Sequence, residues 1–523
     1  MSVEHKKVKM KHNKKVLLIS PQDNFSIIGL KYIHYYLLKN NYQSHLLLMP
    51  NIDQNDLVAL EELRKFISEL QPIFIGISLM SHEFTSAREI NIFLKRNFPA
   101  IPIIWGGIYP TIATEACLQF TDFVCIGEGE KTILAFANAI SKGFDTKNIC
   151  NLAYLDNNKQ AVKNPLNPYI ENLDELPFCD HFITNSFVRE DNGCIKKVDN
   201  KIFRKYSRYT GKIKDIITSR GCPFSCTYCC TNFLNKLYET KKVRKRSVEN
   251  VILELENDIK KSPIIDAIYF HDENFICRSK DEIKKFCKLY KNKVGIPFSV
   301  SITPRIAKDE IMALLKEAGL TWIRIGLQSG SDRVCKEIYK RNSLRQDFLD
   351  CAKYANKLNI GIYCDVILDN PFEQEYEQLE TIKTLIEAPK PLYLQLYSLK
   401  AYHGTELYEK IERELPGNLL AAPEKDYLLI KKNTLNILTR LAAICPKRMM
   451  IALVKMYKKD HENIFFKLFL LFFKILSLCV FEPIVYYRFL YKSQGSSIRK
   501  TLMVIPIYFK QVWSRYRMQF KKI

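Results

Sequence analysis

Short apolar runs alternate with helix-like stretches along residues 15–145. The segments LKYIHYYLLKNN and SAREINIFLKRN have the spacing of apolar residues that is typical of an amphipathic helix. The apolar runs around them predict buried parallel strands: KVLLI (15–19), SHLLL (44–48), IFIGIS (73–78), IPIIW (101–105) and DFVCI (122–126). Strand–helix alternation at this pitch predicts a doubly wound, Rossmann-like α/β domain.

The loops after three of these strands are rich in glycine, serine and threonine. Their sequences are GISLMSHEFTS, WGGIYPT and IGEGEKT. In a doubly wound sheet, ligands bind beyond the carboxyl ends of the strands, and backbone N–H groups at helix starts bind phosphates or amides. The same residue types also occur in ordinary connecting loops, so each loop alone leaves both interpretations open.

Strand–helix alternation resumes between residues 211 and 400. Helical stretches such as SVENVILELENDIKK and AKDEIMALLKEAG separate six candidate strands. These strands are DIITS (215–219), IDAIYF (265–270), PFSVSI (297–302), WIRIGL (322–327), IYCDVIL (362–368) and LYLQLYSL (392–399). Six βα units in about 190 residues predict a parallel (β/α)6 barrel of the TIM type, complete or partly open.

The chain therefore divides into five predicted regions. Residues 1–14 form a basic tail, 15–145 the Rossmann-like domain, 146–205 a linker, 206–420 the barrel, and 421–523 a basic and apolar helical region. The linker lacks clear periodicity, although NLAYLDNNKQAV within it predicts a hairpin.

The segment 464–491, IFFKLFLLFFKILSLCVFEPIVYYRFLY, is almost entirely apolar and aromatic. Lys467 and Lys474 are seven residues apart and share one helix face, and Glu482–Pro483 interrupts the run. Two lysines in the apolar core disfavour a helix that spans a bilayer. Two interpretations stay open: an amphipathic helix at a membrane interface, or an apolar helix packed on the barrel.

Composition and charge narrow the class of protein. Apolar residues make up 47% of the chain, which argues against disorder, and the net charge is +23. From Arg440 onward, 17 Lys and Arg stand against three Asp and Glu, interleaved with apolar runs, which disfavours nucleic acid as a partner. The start, MSVEHKKVKMKHNKK, shows no secretory signal, so the 16 cysteines are expected in a reducing cytoplasm. Peripheral contact of 464–491 with the inner face of the membrane stays open.

Residues 221–230, GCPFSCTYCC, follow the first predicted barrel strand and are expected on the carboxyl-end face, where parallel barrels place their chemistry. Cys222, Cys226 and Cys229 have the spacing C-x3-C-x2-C, and no second C-x2-C pair follows to complete a zinc ribbon. Three thiolates on one tight loop suit a cubane iron–sulfur cluster with one iron left open. Cys230 is predicted to be a small buried residue that points away from Cys229 and is not a cluster ligand.

The stretch TSRGCPFSCTYC resembles the signature of the radical S-adenosylmethionine (SAM) enzymes. The resemblance implies that Cys222, Cys226 and Cys229 bind a 4Fe–4S cluster and that the amino and carboxylate groups of SAM chelate the fourth iron. In that family the reduced cluster cleaves SAM to a 5′-deoxyadenosyl radical, with a flavodoxin or ferredoxin as the reducing partner. Tyr228, just before the third cysteine, is then expected near the adenine.

Two further segments match the same family in the expected order. IYFHDENF resembles the segment after the second barrel strand, which implies that Asp272 and Glu273 accept from the methionine end of SAM. GLQSGSDRVCKEIYKR resembles the fourth-strand segment, which implies that Gln328 and Ser329 contact the ribose or carboxylate of SAM. Arg305 is a candidate partner for the same carboxylate.

The later segments DVILDNPFEQE and LYSLKAYHGTELYEK resemble the fifth-strand segment and the end of the barrel in this family. Arg324, on the fourth predicted strand, is a second candidate for the SAM carboxylate. Asp369 and Asn370 stand at the end of the fifth strand without an assigned role, and His403 is expected to be structural.

The first domain resembles the cobalamin-binding domain that precedes the barrel in one large subfamily, through IFIGIS, IPIIWGGIYPT and DFVCIGEGEKT. NLDELP resembles the usual bridge, so the resemblance covers residues 15–410. It implies that the nucleotide tail of the corrinoid is lined by Ser78, Gly106, Gly107, Thr111, Gly127, Glu128 and Gly129. No D-x-H-x-x-G motif occurs, so no histidine is offered as the lower axial ligand.

Three functions follow as hypotheses. The first is cobalamin-dependent methyl transfer to an unactivated carbon of a small or lipid-like substrate. The second keeps the same machinery for ring closure, oxidation or rearrangement without methyl transfer. The third is a non-enzymatic iron–sulfur protein that binds nucleic acid, which the apolar character of the basic tail disfavours.

Overall fold

The computed structural model describes residues 14–417, 430–461 and 463–476, which form two compact units divided between residues 210 and 211. The predicted basic tail up to residue 13 lies outside the described residues, as do 421–429 and 477–523 of the predicted C-terminal region. Each unit is built on its own main sheet.

Unit 1 is a nine-stranded sheet with helices. Its strands are β1 (Lys15–Ser20), β2 (Gln43–Leu48), β3 (Ile75–Ser78), β4 (Ile103–Gly106), β5 (Phe123–Cys125), β6 (Leu152–Leu155), β7 (Ala161–Lys163), β8 (Ser186–Arg189) and β9 (Ile195–Lys197). Its helices are α1 (Ile28–Lys39), α2 (Leu57–Leu70), α3 (Phe84–Asn97), α4 (Ile108–Ile112), α5 (Thr114–Leu118), α6 (Glu130–Lys142) and α7 (Asn200–Tyr206).

The strand order in unit 1 is β7-β6-β5-β4-β3-β1-β2-β8-β9, and β1 to β5 and β8 run parallel. This is the predicted doubly wound α/β arrangement, and all five predicted strands occur in it. The strand β1 buries Val16, Leu17 and Ile19 completely. Their burial accounts for the unbroken apolar run in the sequence, because a central parallel strand is covered on both faces.

The segment 146–205, predicted as a linker, is instead part of unit 1. The predicted hairpin is present as β6 and β7, which extend one edge of the sheet antiparallel, and β8 and β9 extend the other edge. These strands have only three or four residues each, and β7 and β9 are largely exposed. Short edge strands need few apolar residues, so they leave little periodicity in the sequence.

Unit 2 contains a six-stranded sheet, a two-stranded ribbon and ten helices among the described residues. The strands are β10 (Ile213–Ile216), β11 (Ser219–Arg220), β12 (Arg244–Lys245), β13 (Ala267–Phe270), β14 (Phe298–Ile302), β15 (Leu320–Gln328), β16 (Gly361–Leu368) and β17 (Leu392–Ser398). The helices are α8 (Cys230–Leu237), α9 (Val248–Lys261), α10 (Lys280–Lys293), α11 (Asp309–Glu317), α12 (Arg345–Lys357), α13 (Glu375–Glu387), α14 (Glu406–Glu414), α15 (Thr434–Ala442), α16 (Lys447–Lys459) and α17 (Ile464–Leu476).

The six-stranded sheet is parallel throughout, in the order β10-β13-β14-β15-β16-β17. Within the described ranges β10 and β17 are its edges, so the predicted barrel is partly open. Aliphatic residues such as Val300, Ile323 and Ile362 line one face and belong to the core shared with the helices. Side chains alternate along a strand, so polar and aromatic residues occupy the opposite face, here called the inner face.

The three C-terminal helices pack on this same core. Met450 and Leu453 of α16 and Phe466 and Leu470 of α17 are buried in it. The helix α17 covers the first part of the predicted apolar segment, whose remainder, 477–491, lies outside the described residues. In the part of the chain that the structure describes, no helix is long and apolar enough to cross a bilayer.

Candidate active site

The three-cysteine loop follows β10 and β11 at the carboxyl end of the sheet, as predicted. Gly221 opens it with a φ of +98°, and a Cβ atom there would lie 2.7 Å from the carbonyl oxygen of Lys242. Only glycine fits that turn without strain. Thr227, in the middle of the loop, donates from its N–H to the carbonyl of Tyr339 at 3.0 Å and from its hydroxyl to that of Ile338 at 2.6 Å. These bonds fix the loop against the segment that follows β15.

The cysteine side chains are half-buried. Cys229 stands just before α8, and N–H groups of Thr231 and Asn232 donate to its sulfur. A hydrogen bond from the Cys230 thiol, together with these N–H groups, lowers the pKa of Cys229 below its usual range. The prediction that Cys230 points away from Cys229 is therefore wrong, because the two thiols are close enough to share a hydrogen bond.

Three thiols on one loop provide the donor set of a 4Fe–4S cluster that leaves one iron without a protein ligand. Among the described residues, no group of three His, Cys, Asp or Glu side chains is arranged to hold a single metal ion. By ligand chemistry and by position at the carboxyl end of the sheet, the three thiols fit the cluster.

The two predicted carboxylates after β13 have different surroundings. Asp272 is buried and accepts from the N–H of Thr218 at 2.6 Å, from the hydroxyl of Thr218 at 2.5 Å and from the N–H of Ser219 at 3.1 Å. It ties the end of β10 to the end of β13. Glu273 instead is exposed and lies beside Cys229 and Thr231. Both side-chain amide atoms of the neighbouring Asn274 are buried without a partner among the described residues.

A half-buried arginine that the sequence did not single out lies beside the cysteine loop. Arg341 donates from Nη2 to the carbonyl of Gly326 at 2.8 Å and from Nη1 to the hydroxyl of Tyr228 at 3.2 Å, and its charge also acts on Cys226. Its Nε has no partner within the described residues. The only signal in the sequence was its place at the end of the SAM-like segment, next to a second basic residue.

Gln328 ends β15 with a φ of +64°, a conformation uncommon for a residue with a side chain. Its Oε1 is buried and has no partner in the described part of the chain. A Cβ on Gly326 would lie 2.5 Å from its Nε2, so the glycine makes room for this side chain next to Arg341. Buried polar atoms are normally hydrogen-bonded, so Gln328, Arg341 and Asn274 fit a polar ligand at this end of the sheet.

Three other predicted SAM contacts have partners within the protein. The Ser329 hydroxyl donates to Glu373 at 2.7 Å, and Ser329 is buried. Arg305 is exposed and donates to the carbonyl of Asn342 at 3.0 Å. Arg324 pairs with Asp365 at 2.8 Å. The structure gives these three side chains local partners rather than contacts with the cysteine loop.

The residues after the fifth barrel strand also have structural partners. Asp369 accepts from the N–H of Lys431 at 2.9 Å and from the amide of Asn436 at 2.8 Å, which attaches the segment before α15 to β16. Asn370 donates to the hydroxyl of Tyr339 at 3.1 Å. His403 packs against Tyr408 with the two rings tilted and 4.2 Å between their centroids.

Aromatic side chains form a row across the inner face of the sheet. Tyr269 stacks on Trp322 at 5.1 Å, and Tyr363 lies 6.2 Å from Trp322 and 4.8 Å from Tyr393 between ring centroids. Asp365 lies two residues nearer the carboxyl end of β16 than Tyr363. Its Oδ1 is buried and has no partner among the described residues. The inner face thus combines flat apolar surface with a spare hydrogen-bond acceptor.

In unit 1, predicted cofactor residues meet at the carboxyl edge of the sheet. Thr111 donates to the carbonyl of Gly107 at 2.8 Å and accepts from the N–H of Gly127 at 3.0 Å, which joins the loops after β4 and β5. Gly107 has a φ of +97°, and a Cβ there would lie 2.9 Å from the carbonyl oxygen of Leu79 and 3.1 Å from Oγ of Ser78. Gly106 accepts from the N–H of Leu79 at 3.1 Å. Because the glycines here carry no side chains, a large planar or nucleotide-like group can approach the backbone of these loops closely.

The other two predicted residues of this set support the loop from outside. Glu128 accepts from the N–H of Ile170 at 3.1 Å. Gly129 precedes α6, and a Cβ on it would lie 3.0 Å from Cδ1 of Ile33 in α1. Glu128 therefore anchors the 146–205 segment, and Gly129 allows α6 to pack closely against α1.

Comparison with known proteins gives two family matches. The model of the radical SAM superfamily matches residues 216–385, and that of the B12 binding domain matches residues 14–137. The first match contains the cysteine loop, Glu273, Gln328 and Arg341, and the second contains the loops after β3, β4 and β5.

Individual relatives are similar over much of the chain. An uncharacterized methyltransferase of Pyrococcus horikoshii is 27% identical over 356 residues, which is 67% of this chain and 72% of the relative. An anaerobic magnesium-protoporphyrin IX monomethyl ester cyclase of Rubrivivax gelatinosus is 24% identical over 56% of this chain, and the match spans half of the cyclase.

A solved structure shows the same fold. The cobalamin-dependent SAM radical enzyme OxsB, with aqua-cobalamin and SAM bound, superposes with a TM-score of 0.61 at 17% identity, over 97% of this chain and 81% of OxsB. The two family matches and this fold agree with the predicted order of domains. The chain belongs to the radical SAM enzymes that carry an N-terminal B12-binding domain, a family whose cofactors are a 4Fe–4S cluster, SAM and cobalamin.

Proposed function

We propose that this protein is a cobalamin-dependent methyltransferase that methylates an unactivated carbon of a small or lipid-like substrate. The observation that supports it most is the combination in one chain of a cysteine loop beside buried, unpartnered polar atoms and a glycine-rich, B12-type sheet edge. The methyltransferase name of the Pyrococcus horikoshii relative supports the same reaction type.

Cys222, Cys226 and Cys229 are the proposed cluster ligands. When bound, the cluster and SAM supply removal of a hydrogen atom from the substrate, and methylcobalamin supplies the methyl group. Glu273 is the proposed acceptor for the ammonium group of SAM, because its carboxylate lies against Cys229 while that of Asp272 is already bonded.

Arg341 and Gln328 are the proposed contacts for the carboxylate and ribose end of SAM. The free Nε of Arg341 is a charged donor, and the free Oε1 of Gln328 accepts a hydroxyl or amine. Arg341 also holds the hydroxyl of Tyr228 and so fixes the ring that we propose lies near the adenine. Ser329 acts indirectly in this proposal, by holding Glu373 next to β15.

In unit 1, Ser78, Gly106, Gly107, Thr111 and Gly127 are the proposed contacts of the corrinoid. The Thr111 bonds hold two loops in one arrangement, and the glycines allow their backbone to approach the ligand. Glu128 and Gly129 are proposed to stabilise this edge of the sheet without lining the ligand site.

The inner face of the unit 2 sheet is the proposed substrate surface. Its aromatic row offers flat contacts, and Oδ1 of Asp365 needs a donor. We therefore propose a substrate that carries a ring or other apolar surface and at least one hydroxyl or N–H group. A flavodoxin or ferredoxin is the proposed reductant.

Ring closure without methyl transfer is the second candidate, favoured by the similarity to the Rubrivivax gelatinosus cyclase. Anaerobic incubation of the cluster- and cobalamin-loaded protein with trideuteriomethyl-SAM and a lipid and small-molecule extract separates the two. We expect 5′-deoxyadenosine and a product that carries the deuterated methyl group. Deoxyadenosine and substrate consumption without a labelled product would contradict methyl transfer and favour the cyclase-type reaction.

A further inference from the structure

The helix α17 carries a second apolar face that no described part of the chain covers. Its buried face contains Phe466 and Leu470, which pack into the unit 2 core. On the opposite face, Ile464, Leu468 and Phe472 are 62%, 56% and 60% exposed. They recur every four residues, so they form one row along the helix.

Exposed apolar side chains are concentrated in this part of the molecule. Of the 14 large apolar residues exposed among the described ones, seven lie on α16 and α17: Ile451, Met456, Ile464, Leu468, Phe469, Leu471 and Phe472. Single exposed apolar residues are normal, but a contiguous apolar row on a helix marks an interaction surface.

The neighbouring helix α16 carries positive charge on its own exposed face. Arg448, Lys455 and Lys459 recur at intervals of seven and four residues, opposite the buried Met450 and Leu453. With Lys447 and Lys458 they make five exposed basic residues on a helix without an acidic one. None of the five has an ion-pair partner in the ranges that the structure describes.

We infer that α16 and α17 form a docking surface for a bilayer that contains anionic lipid. Apolar side chains on one helix and unpaired basic side chains on the next are the two contributions that hold a protein at an anionic membrane surface. A second protein copy would bring the same positive charges together, so charge complementarity favours the lipid. The inference is independent of the proposed methyl transfer, because no residue of the candidate active site takes part.

Flotation of the full-length protein with vesicles tests this surface. We expect the protein to float with vesicles of equal parts phosphatidylcholine and phosphatidylglycerol, and not with phosphatidylcholine alone. Raised salt should weaken the binding, because exposed charges are screened.

Two variants and two matched controls locate the surface. Leu468→Ser/Phe472→Ser removes apolar contact, and its control is Leu253→Ser, an exposed leucine on α9 of the same unit. Arg448→Gln/Lys455→Gln/Lys459→Gln removes charge, and its control is Lys284→Gln/Lys288→Gln/Lys291→Gln, three exposed lysines on α10. Each test variant should weaken partitioning by roughly a hundredfold, and each control by less than about threefold.

Three results would overturn the inference. The first is a full-length protein that ignores anionic vesicles at low salt, which is expected if residues 477–523 cover α17. The second is equal binding by the test and control variants. The third is a dimer by light scattering that Leu468→Ser/Phe472→Ser converts to a monomer, which would assign the face to a second copy. Unchanged circular dichroism of each variant establishes that it is folded.

Discussion

Replacing Arg341 with methionine should remove most of the affinity for SAM while the cluster stays bound. Nη1 donates to Tyr228 and Nη2 to Gly326, while Nε is a guanidinium nitrogen without a partner in the described part of the chain. A hydrogen bond to a charged partner contributes about 2–3 kcal/mol, so its loss should raise the Kd for SAM roughly a hundredfold. Arg341→Lys keeps the charge but not the planar fork, so we expect partial rescue, to within about tenfold of the wild type.

Equilibrium dialysis of SAM against the cluster-loaded, unreduced protein measures this Kd without turnover. The matched control is Lys340→Met, because Lys340 is the adjacent residue, is exposed and pairs with Glu406 at 2.7 Å. An exposed pair contributes at most about 1 kcal/mol, so this variant should bind SAM normally. Wild-type affinity in a folded Arg341→Met protein with intact cluster would refute the assignment of Arg341 to SAM.

Three further predictions concern the cluster and the stability of each unit. Cys229→Ala should lose iron and sulfide, whereas Cys230→Ala should keep both by chemical analysis, because Cys229 is the proposed ligand and Cys230 only donates a hydrogen bond to it; cluster loss in both would contradict this. Lys214→Met should lower the free energy of unfolding by about 3–5 kcal/mol in denaturant titrations, since it removes a buried cation that pairs with the buried carboxylates of Glu254 and Asp258. Lys212→Met, which breaks an exposed pair, should cost less than about 1 kcal/mol, and equal losses would refute the role of burial. Burial lowers the pKa of His34 from 6.5 to about 4, so stability present above pH 6.5 should fall by up to about 3 kcal/mol as the pH falls towards 4. His34→Gln should flatten this part of the curve of unfolding free energy against pH, and an unchanged slope would contradict it.

The parallel strands could be predicted because their burial leaves unbroken apolar runs. The runs at 15–19 and 362–368 correspond to β1 and β16 within a residue or two. The edge strands in 146–205 could not be predicted, because β7 and β9 each have only three residues, two of them exposed, and resemble an ordinary polar loop in sequence. Their place in the sheet depends on pairing partners far along the chain.

The sequence predicted the kind of chemistry at the candidate site, but not which of two neighbouring side chains is free to bind a ligand. Asp272 and Glu273 are equivalent in sequence, and only the hydrogen bonds from Thr218 and Ser219 show that Asp272 is already satisfied. Likewise, Lys340 and Arg341 form one basic pair in the sequence. The fold turns the first towards solvent and Glu406 and the second towards Tyr228, and no local pattern distinguishes them.

Anaerobic purification with analysis of iron, sulfide and corrinoid is the decisive measurement for this protein. We expect about four irons and four sulfides per chain together with one corrinoid. Iron should be lost in Cys229→Ala, while corrinoid, bound by unit 1, should be kept. A protein that holds zinc in place of iron, or that holds the cluster but no corrinoid, would contradict the account.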